Sequence, residues 1–427
     1  MILMTFDFEK MSQVVAANSR KRQEPSWLSQ KRQAGLQALT TAPAPKMQKF
    51  DFRDWDLMSL PDPSATSDLD EATELDKAHL VQVGTTTPYV NLPDDVRQQG
   101  VILTDLATAA EQYADLVQPA LMTVVSADEN QLTAYHQAMM NNGIFVYVPQ
   151  NVEVTIPLET MIYQDATNSN PLVHHVLIVT EANAKLQFVE HLATLGEEKT
   201  MASLMVEIIA KENSQVSFAS LDELGTNTTE YFKRRAQIGR DAKVEWSIGL
   251  MSDGNVVGDV DSELVGTGGK ADSKTIAVST RQQEIGINNR VTHHGQNTEG
   301  LINQRGVLLE QSKLVFNGIG EIIHGAHGAE AEQQNRVLMM SPDAHGDANP
   351  ILLIDENDVI AGHAASVGPV DPEQMYYLVS RGIPQSQAER LVIRGYLSPV
   401  ITAIPSKLLR QKMIDILERK LAHGQDE

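Results

Sequence analysis

The sequence has 427 residues and carries 34 basic and 56 acidic side chains, so its net charge is −22. Nucleic acids and anionic membranes are bound by basic surfaces, and we expect neither as a main partner. Cysteine is absent, which excludes disulfides, thiolate nucleophiles and thiolate metal ligands within this chain. The N-terminus has no basic segment followed by a long apolar run, and no apolar stretch is as long as a membrane span. These features predict a cytoplasmic protein.

Residues 1–140 are predicted to be a largely helical region. Two helical segments begin it, and Leu103–Tyr113 and Asn130–Met140 also have apolar residues at helical spacing. Between them, residues 61–76 are acidic, contain proline and serine, and are predicted to be an exposed linker. The run Asn141-Asn142-Gly143 is predicted to end the last helix, because asparagine and glycine tolerate the left-handed conformation there.

Residues 141–370 change to short β-rich runs that contain a recurring motif. The motif is a turn-type residue, a small residue, Lys or Gln, Leu or Val, any residue, and an aromatic residue; its copies begin at Asn183, Asn213, Asp241 and Gln311. The Leu or Val and the aromatic residue are two positions apart, so they share one face of a strand, and stacked copies would form a single interior ladder. We predict a β-solenoid. A sandwich of double hairpins is the alternative, although the motif lacks the Asn-Gly and Asp-Gly turns that hairpins favour.

Residues 371–427 return to a helical pattern. Asp371 is a predicted N-cap with Pro372 in the first turn, and Gly382 is predicted to end this helix. Two further helices are predicted to begin near Pro384 and Pro405. Helices at the end of a solenoid serve either as a hydrophobic cap or as a docking surface for a partner.

Histidines are concentrated near the end of the β-rich region, which raises the question of metal binding. Adjacent histidines in a strand face opposite sides, and histidines three apart do so unless a turn intervenes. No recognisable metal-binding motif contains them. We therefore favour structural or surface roles for most, with His363 as the exception among small residues. The six are His293, His294, His324, His327, His345 and His363.

Several segments resemble the SufB/SufD family of iron–sulfur cluster assembly scaffolds, and within it the SufD branch. They are Glu24–Leu28, Asn142–Pro149, Asn335–Met339 and, as the longest, Asp358–Gly382. The resemblance extends over nearly the whole chain. It implies a mainly β protein, with a right-handed parallel β-helix flanked by N-terminal and C-terminal helical domains.

The resemblance also implies partners and site residues. It implies a complex with a SufB-like paralogue and with the SufC-like ABC ATPase, which docks on the C-terminal helices with Tyr376, Tyr377 and Arg381 as candidate contacts. The family histidine at the interface with the SufB-like subunit falls on His363, a candidate ligand for iron or a cluster shared between subunits. Some relatives have a cysteine where this chain has Ala361. One neutral imidazole can ligate iron but cannot hold a cluster alone, so the partner would supply thiolate and carboxylate.

The resemblance implies a non-catalytic role. ATP-driven motion of the ATPase would open the shared assembly site, and we expect no tightly bound cofactor on the isolated chain. Edge strands of a β-helix can pair between subunits, so a homodimer of the isolated chain is a further expectation. Two alternatives stay open. In one, the chain only supports the SufB-like subunit and His363 is packing; in the other, the β-helix is an enzyme that acts on polysaccharide, against which an aromatic content of 5% counts.

Overall fold

A computed structural model describes residues 6–65 and 78–423. Most of the predicted acidic linker at 61–76 therefore lies outside the described residues. The N-terminal elements are α1 (Phe8–Lys21), α2 (Ser26–Ala38), β1 (Leu80–Val83), β2 (Thr86–Val90), α3 (Asp94–Arg97), β3 (Ile102–Asp105), α4 (Leu106–Gln112), α5 (Ala114–Val117) and α6 (Gln131–Met139).

The central strands follow without an intervening helix in this part of the chain. They are β4 (Asn142–Val148), β5 (Leu158–Ala166), β6 (Leu172–Thr180), β7 (Lys185–Gly196), β8 (Thr200–Ala210), β9 (Gln215–Glu223), β10 (Thr228–Ile238), β11 (Lys243–Leu250), β12 (Val256–Leu264), β13 (Lys270–Ser279), β14 (Glu284–His293), β15 (Glu299–Leu308), β16 (Lys313–Ile322), β17 (Glu330–Met339), β18 (His345–Ile354) and β19 (Ile360–Pro369). The C-terminal helices are α7 (Pro372–Ser380), α8 (Gln385–Ile401) and α9 (Lys407–His423).

The strands form a β-solenoid of two facing sheets. The even-numbered strands from β4 to β18 make one sheet, here called the even sheet, and the odd-numbered strands from β5 to β19 make the odd sheet. Each coil gives one strand to each sheet, and neighbours within a sheet are parallel and in register, as in β10 and β12. The predicted solenoid is confirmed. The sandwich alternative is wrong, because it requires antiparallel hairpins and these strands pair in parallel.

The predicted aromatic ladder is confirmed for three copies of the motif. Phe188, Phe218 and Trp246 are register partners on β7, β9 and β11. Their ring centroids are 5.6 and 5.2 Å apart, and all three side chains are buried. The fourth copy does not join this ladder: Phe316 lies on β16 in the even sheet, beside Ile287. It begins 70 residues after the third copy, about two and a half coils, so the chain has reached the opposite sheet.

The turn-type residues of the motif have a backbone reason. Asn183, Asn213 and Asp241 have φ angles of 60°, 54° and 54°, in the left-handed region that asparagine and aspartate enter more readily than other side chains. The asparagines also connect coils. Asn213 Nδ2 donates to Asn183 Oδ1 over 2.8 Å, and Asn183 Nδ2 donates to Asn151 Oδ1 over 2.7 Å.

The N-terminal elements close the first coil and cover one face. β1 pairs antiparallel with β2, and β3 pairs antiparallel with β4, so both sheets end here in antiparallel strands. The N-terminal helices pack their apolar side chains on the outer face of the even sheet, where Met205 and Tyr231 are buried. Arg32 on α2 forms a buried ion pair with Glu24 at 2.6 Å. It also donates to the Met140 carbonyl over 2.7 Å, which connects α2 to the end of α6.

Two local predictions in this region are wrong. The segment Leu103–Tyr113 is not wholly helical, because its first residues belong to β3 and the helix starts after Asp105, whose side chain accepts from Thr108 N. The run Asn141-Asn142-Gly143 does not form a left-handed helix end, since its last two residues begin β4. Gly143 serves close packing instead: a Cβ there would lie 2.5 Å from the His175 carbonyl oxygen.

The C-terminal helices differ in how they pack. Apolar side chains of α8 and α9, including Leu397 and Met413, are buried against Leu221, Ile276 and other residues on the outer face of the odd sheet. By contrast, α7 contributes no buried residue. It ends where predicted, at Gly382, which has a φ of 86°. No helix among the described residues has the length and apolar character needed to cross a membrane.

Candidate functional site

The two ends of the solenoid differ. Antiparallel strands close the N-terminal end, whereas β18 and β19 form the last coil and each pairs on one side only within the described residues. None of the residues in these two strands is fully buried. The C-terminal end, here called the open end, therefore presents two parallel edge strands whose backbone groups can accept further strands.

His363 lies in the inward-facing row of the last coil. Burial alternates along β17, so Ala331, Gln333 and Asn335 face the interior. The register of β19 places Ala361 above Ala331 and His363 above Gln333. The imidazole therefore continues an interior row, yet it is exposed because no further coil covers it.

A chain of amides leads up to this position. Gln304 Nε2 donates to Asn335 Oδ1 over 2.9 Å, and Asn335 Nδ2 donates to Gln333 Oε1 over 3.3 Å. Gln333 Nε2 then donates to the Ile351 carbonyl of the even sheet over 2.9 Å. Opposite them is Gly318, where a Cβ would lie 2.5 Å from Asn335 Nδ2. The interior below His363 is thus polar and filled, and the ring marks its outer limit.

The described part of the chain contains no complete metal site. In residues 6–65 and 78–423, no group of three histidine or acidic side chains is arranged to hold a metal ion. Iron or a cluster at His363 would therefore need ligands from another molecule. The exposure of His363 leaves its ring accessible to such a molecule.

The other histidines occupy structural or surface positions. His293 is buried, its Nδ1 lies 2.8 Å from Thr298 Oγ1, and burial lowers its pKa to about 4. His294 points the other way and pairs with Glu263 at 2.8 Å, so the predicted divergence of this pair is confirmed. His345 lies 3.5 Å from Asp347.

A turn does separate His324 from His327, and both rings face Glu356. Their Nδ1 atoms lie 3.7 and 3.3 Å from the two carboxylate oxygens. The same carboxylate accepts from the backbone N–H of Gly325 and Asn357, and these hydrogen bonds lower the pKa of Glu356. These contacts stabilise the turn between His324 and His327 and connect it to the segment that precedes β19.

The predicted docking residues form an exposed surface. Tyr376 and Tyr377 on α7 are 77% and 57% exposed, and Leu391 on α8 is 52% exposed. The guanidinium carbon of Arg381 lies 5.1 Å from the centre of the Tyr377 ring, which orients both side chains. We call Tyr376, Tyr377, Arg381 and Leu391 the α7–α8 patch. Clustered exposed aromatic side chains of this kind mark protein-binding surfaces.

The sequence did not predict a cluster of charges inside the solenoid. Arg234 is fully buried and bonds to both carboxylate oxygens of Asp222, at 2.9 and 2.8 Å. Glu190 lies 3.7 Å from Arg234 and 3.3 Å from His174. Burial and the neighbouring Asp222 raise the pKa of Glu230 to about 8. One sequence pattern could have indicated this cluster: charged residues such as Arg234 lie two positions from buried apolar residues and so share a strand face with them.

Comparison with known proteins decides what kind of chain this is. The family model for the SUF system FeS cluster assembly SufBD core domain matches residues 162–396, and the model for the SufBD protein N-terminal region matches residues 71–160. The chain belongs to the SufBD family. The matched SufBD core contains the open end, His363 and the α7–α8 patch, whereas α1, α2 and α9 lie outside both matched regions.

Individual SufBD proteins are similar over nearly their whole length. The chain is 40% identical over 420 residues to the iron-sulfur cluster assembly protein SufD of Bacillus subtilis (strain 168), covering 94% of this chain and 96% of that protein. Iron-sulfur cluster assembly SufBD family proteins of Staphylococcus saprophyticus and Staphylococcus aureus (strain USA300) are 23% and 22% identical, each over 92% of this chain and 89% of the relative. The predicted family is confirmed, and the chain is a SufD-like iron–sulfur cluster assembly protein.

Proposed function

We propose that the chain is a non-catalytic scaffold subunit of a SUF assembly complex, and that it pairs through its open end with a SufB-like paralogue. The open end carries this proposal, because each of its two edge strands pairs on one side only in the described structure and an interior row stops at His363. A partner with the same solenoid architecture would extend both sheets and cover the ring. Family membership supports this partner, and it leaves the polysaccharide-enzyme alternative without a supporting observation.

In this proposal His363 contributes one ligand at the seam between the subunits. A neutral imidazole binds iron through a ring nitrogen, while the SufB-like subunit supplies thiolate and carboxylate. The iron–sulfur cluster is the product that the complex assembles and passes on. The neighbours of His363 are small, and a Cβ on Gly362 would meet nothing within 4 Å, so side chains of a partner have room to approach.

The α7–α8 patch is the proposed docking site of the SufC-like ATPase. Because α8 and α9 are packed tightly on the odd sheet, a force applied to them would move the solenoid as a unit. Closure of two ATPase subunits on binding ATP would then shift the two solenoids relative to each other and open the seam. The chain itself performs no ATP chemistry in this scheme.

The decisive experiment compares His363→Ala with His345→Ala in a complex reconstituted from this chain and SufB-like and SufC-like partners. His345 is the matched control, since it is an exposed histidine on β18 that faces outward. We expect both variants to form the complex, and cluster formation, followed by visible absorbance, to fall about tenfold for His363→Ala only. An unchanged cluster yield would support the alternative in which His363 is packing. Failure of the wild-type chain to associate with either partner would contradict the whole proposal.

A further inference from the structure

Two arginines are stacked on the outer face of the odd sheet without an acidic partner. Arg305 on β15 and Arg336 on β17 are register partners, so their Cα atoms are separated by about 4.8 Å. Arg305 donates to Asn303 Oδ1 over 3.2 Å and to the Tyr396 carbonyl oxygen. Arg336 is exposed, and no side chain in the described part of the chain forms an ion pair or hydrogen bond with it. Burial, with a smaller contribution from Arg336, lowers the pKa of Arg305.

This arrangement departs from the rest of the solenoid surface. Several basic residues elsewhere pair with carboxylates of a neighbouring coil: Lys270 with Glu299 at 2.8 Å, Lys313 with Glu284 at 2.6 Å and Arg290 with Glu321 at 3.0 Å. The register partners that flank the arginine pair are instead neutral, namely Ile276 and Ser366. Like charges directly opposite each other on neighbouring strands are destabilising. A chain with a net charge of −22 nevertheless keeps this pair.

One of the two guanidinium groups is already held in place. The guanidinium carbon of Arg305 lies 5.4 Å from the centre of the Tyr396 ring, and α8 covers the stem of the side chain. Arg336 is free to move toward an incoming group. A carboxylate placed between them would accept a charge-assisted hydrogen bond from each arginine. Because Arg305 is pre-oriented, binding costs less side-chain entropy than it would with two mobile arginines.

We propose that Arg305 and Arg336 form a carboxylate-binding site that anchors an acidic side chain of the SufC-like ATPase beside the α7–α8 patch. This inference rests on the docking role proposed above and adds its chemistry. The region from 371 to 423 carries eight basic and five acidic residues, so this helical region has a small net positive charge within an acidic chain. A single two-arginine site next to exposed aromatic side chains fits a protein surface, whereas a polyanion needs a continuous basic track.

The test is calorimetric titration of the full chain with the SufC-like ATPase at low and high salt. For Arg336→Gln we expect Kd to rise about fivefold at low salt, and the difference from wild type to shrink at high salt because exposed charges are screened. Arg336→Lys should keep most of the affinity. The matched control is Arg290→Gln, which removes a partly exposed arginine from the outer face of the even sheet and should leave Kd unchanged. Thermal unfolding of each variant verifies that the fold is intact.

The outcomes separate this inference from the docking proposal. Equal affinity and equal salt dependence for wild type and Arg336→Gln would overturn the carboxylate site while leaving ATPase docking in place. Absence of ATPase binding by the wild-type chain would overturn both. In a parallel titration, inorganic phosphate is added to the chain alone. Binding of phosphate below millimolar concentration that Arg336→Gln abolishes would show a phosphate site, and would overturn the assignment to a protein carboxylate.

Discussion

His363 lies one coil above Gln333 in the same inward-facing row of the odd sheet, and it is the last member of that row. Below it, Gln333 is buried and bonded to Asn335 and to the Ile351 carbonyl. Above it, the described chain supplies no covering strand. The register that buries Gln333 therefore leaves His363 exposed in a row that is buried in every coil below it. Such a surface is stabilised when another subunit covers it.

We predict that aromatic residues stacked in neighbouring coils of the ladder are energetically coupled. Phe188 and Phe218 are stacked register partners, whereas Phe316 lies on the opposite sheet. In a double-mutant cycle with alanine, we expect Phe188 and Phe218 to couple by about 0.5–1.5 kcal/mol in the free energy of unfolding. Phe188 and Phe316 should be additive. Denaturant unfolding measures both cycles, and equal coupling in the two would contradict the assignment of Phe316 to a separate row.

From the buried charge cluster we predict a large loss of stability when Arg234 is removed. Arg234→Met would leave Asp222 and Glu190 close together and uncompensated, since both now face Arg234. We expect the free energy of unfolding to fall by about 3–5 kcal/mol, as measured by urea denaturation. The control is Arg240→Met, which breaks an exposed pair with Glu212 and should change stability by less than about 1 kcal/mol. Adding Asp222→Asn to Arg234→Met should restore part of the loss.

Glu230 predicts a pH dependence with a defined sign. Its pKa is raised from 4.5 to about 8 in the folded chain, mainly by burial and then by Asp222. The folded chain thus keeps a proton that the unfolded chain releases above about pH 4.5, and this group's contribution to stability falls as the pH rises from 4.5 to 8. In Glu230→Gln the contribution is absent. The Tm of wild type minus that of the variant should therefore fall between pH 5 and pH 8, and parallel Tm curves would contradict the raised pKa.

The turn asparagines contribute to stability in two ways, through their left-handed backbone conformation and through a side-chain hydrogen bond. Substitution by glycine distinguishes the two contributions. Asn213 has a φ of 54° and donates to Asn183. Asn213→Ala should lower the free energy of unfolding by about 1–2 kcal/mol, because alanine is strained in the left-handed region and the hydrogen bond is lost. Asn213→Gly loses the hydrogen bond but removes the strain, so its Tm should lie between those of wild type and Asn213→Ala. A Tm for the glycine variant at or below that of the alanine variant would contradict this explanation.

Sequence patterns predicted the features that depend on short spacing. The motif at Asn183, Asn213 and Asp241 recurs once per coil, so the solenoid and its aromatic ladder follow from the repeat itself. To predict which sheet contains Phe316, the number of coils between Asp241 and Gln311 must be known. The motif is absent from that stretch, so the local sequence pattern does not give this number. The predicted helix Asn130–Met140 ends at the right place in α6, but the predicted left-handed turn after it is wrong, because Gly143 lies in β4 and packs closely against the His175 carbonyl.

The sequence predicted which residue belongs to the candidate site, but not how its side chain is oriented. His363 was singled out from its segment, but its inward orientation follows from the pairing of β19 with β17, which no local pattern fixes on an exposed edge strand. The buried Arg234 was missed for a related reason. On β10, Phe232 and Arg234 face the interior while Tyr231 and Lys233 face the N-terminal helices, and all four are buried. When both faces of a strand are covered, alternation no longer distinguishes inside from outside.

From the geometry of the open end we predict that lysine substitutions at two adjacent residues differ in their effect on assembly. Ala365 lies in the inward row with His363, above Asn335, whereas Ala364 faces outward above Gln334. Both alanines are exposed in this chain, so Ala365→Lys and Ala364→Lys should each leave Tm within about 1 °C of wild type.

Association with a SufB-like subunit would bury the charge of Ala365→Lys without a partner and should raise Kd at least about tenfold. The charge of Ala364→Lys would stay in water and change Kd little. Titration of a labelled SufB-like subunit measures both constants. Equal Kd values for the two variants would mean that the inward row is not buried at the seam, and would remove the physical basis for placing His363 inside it.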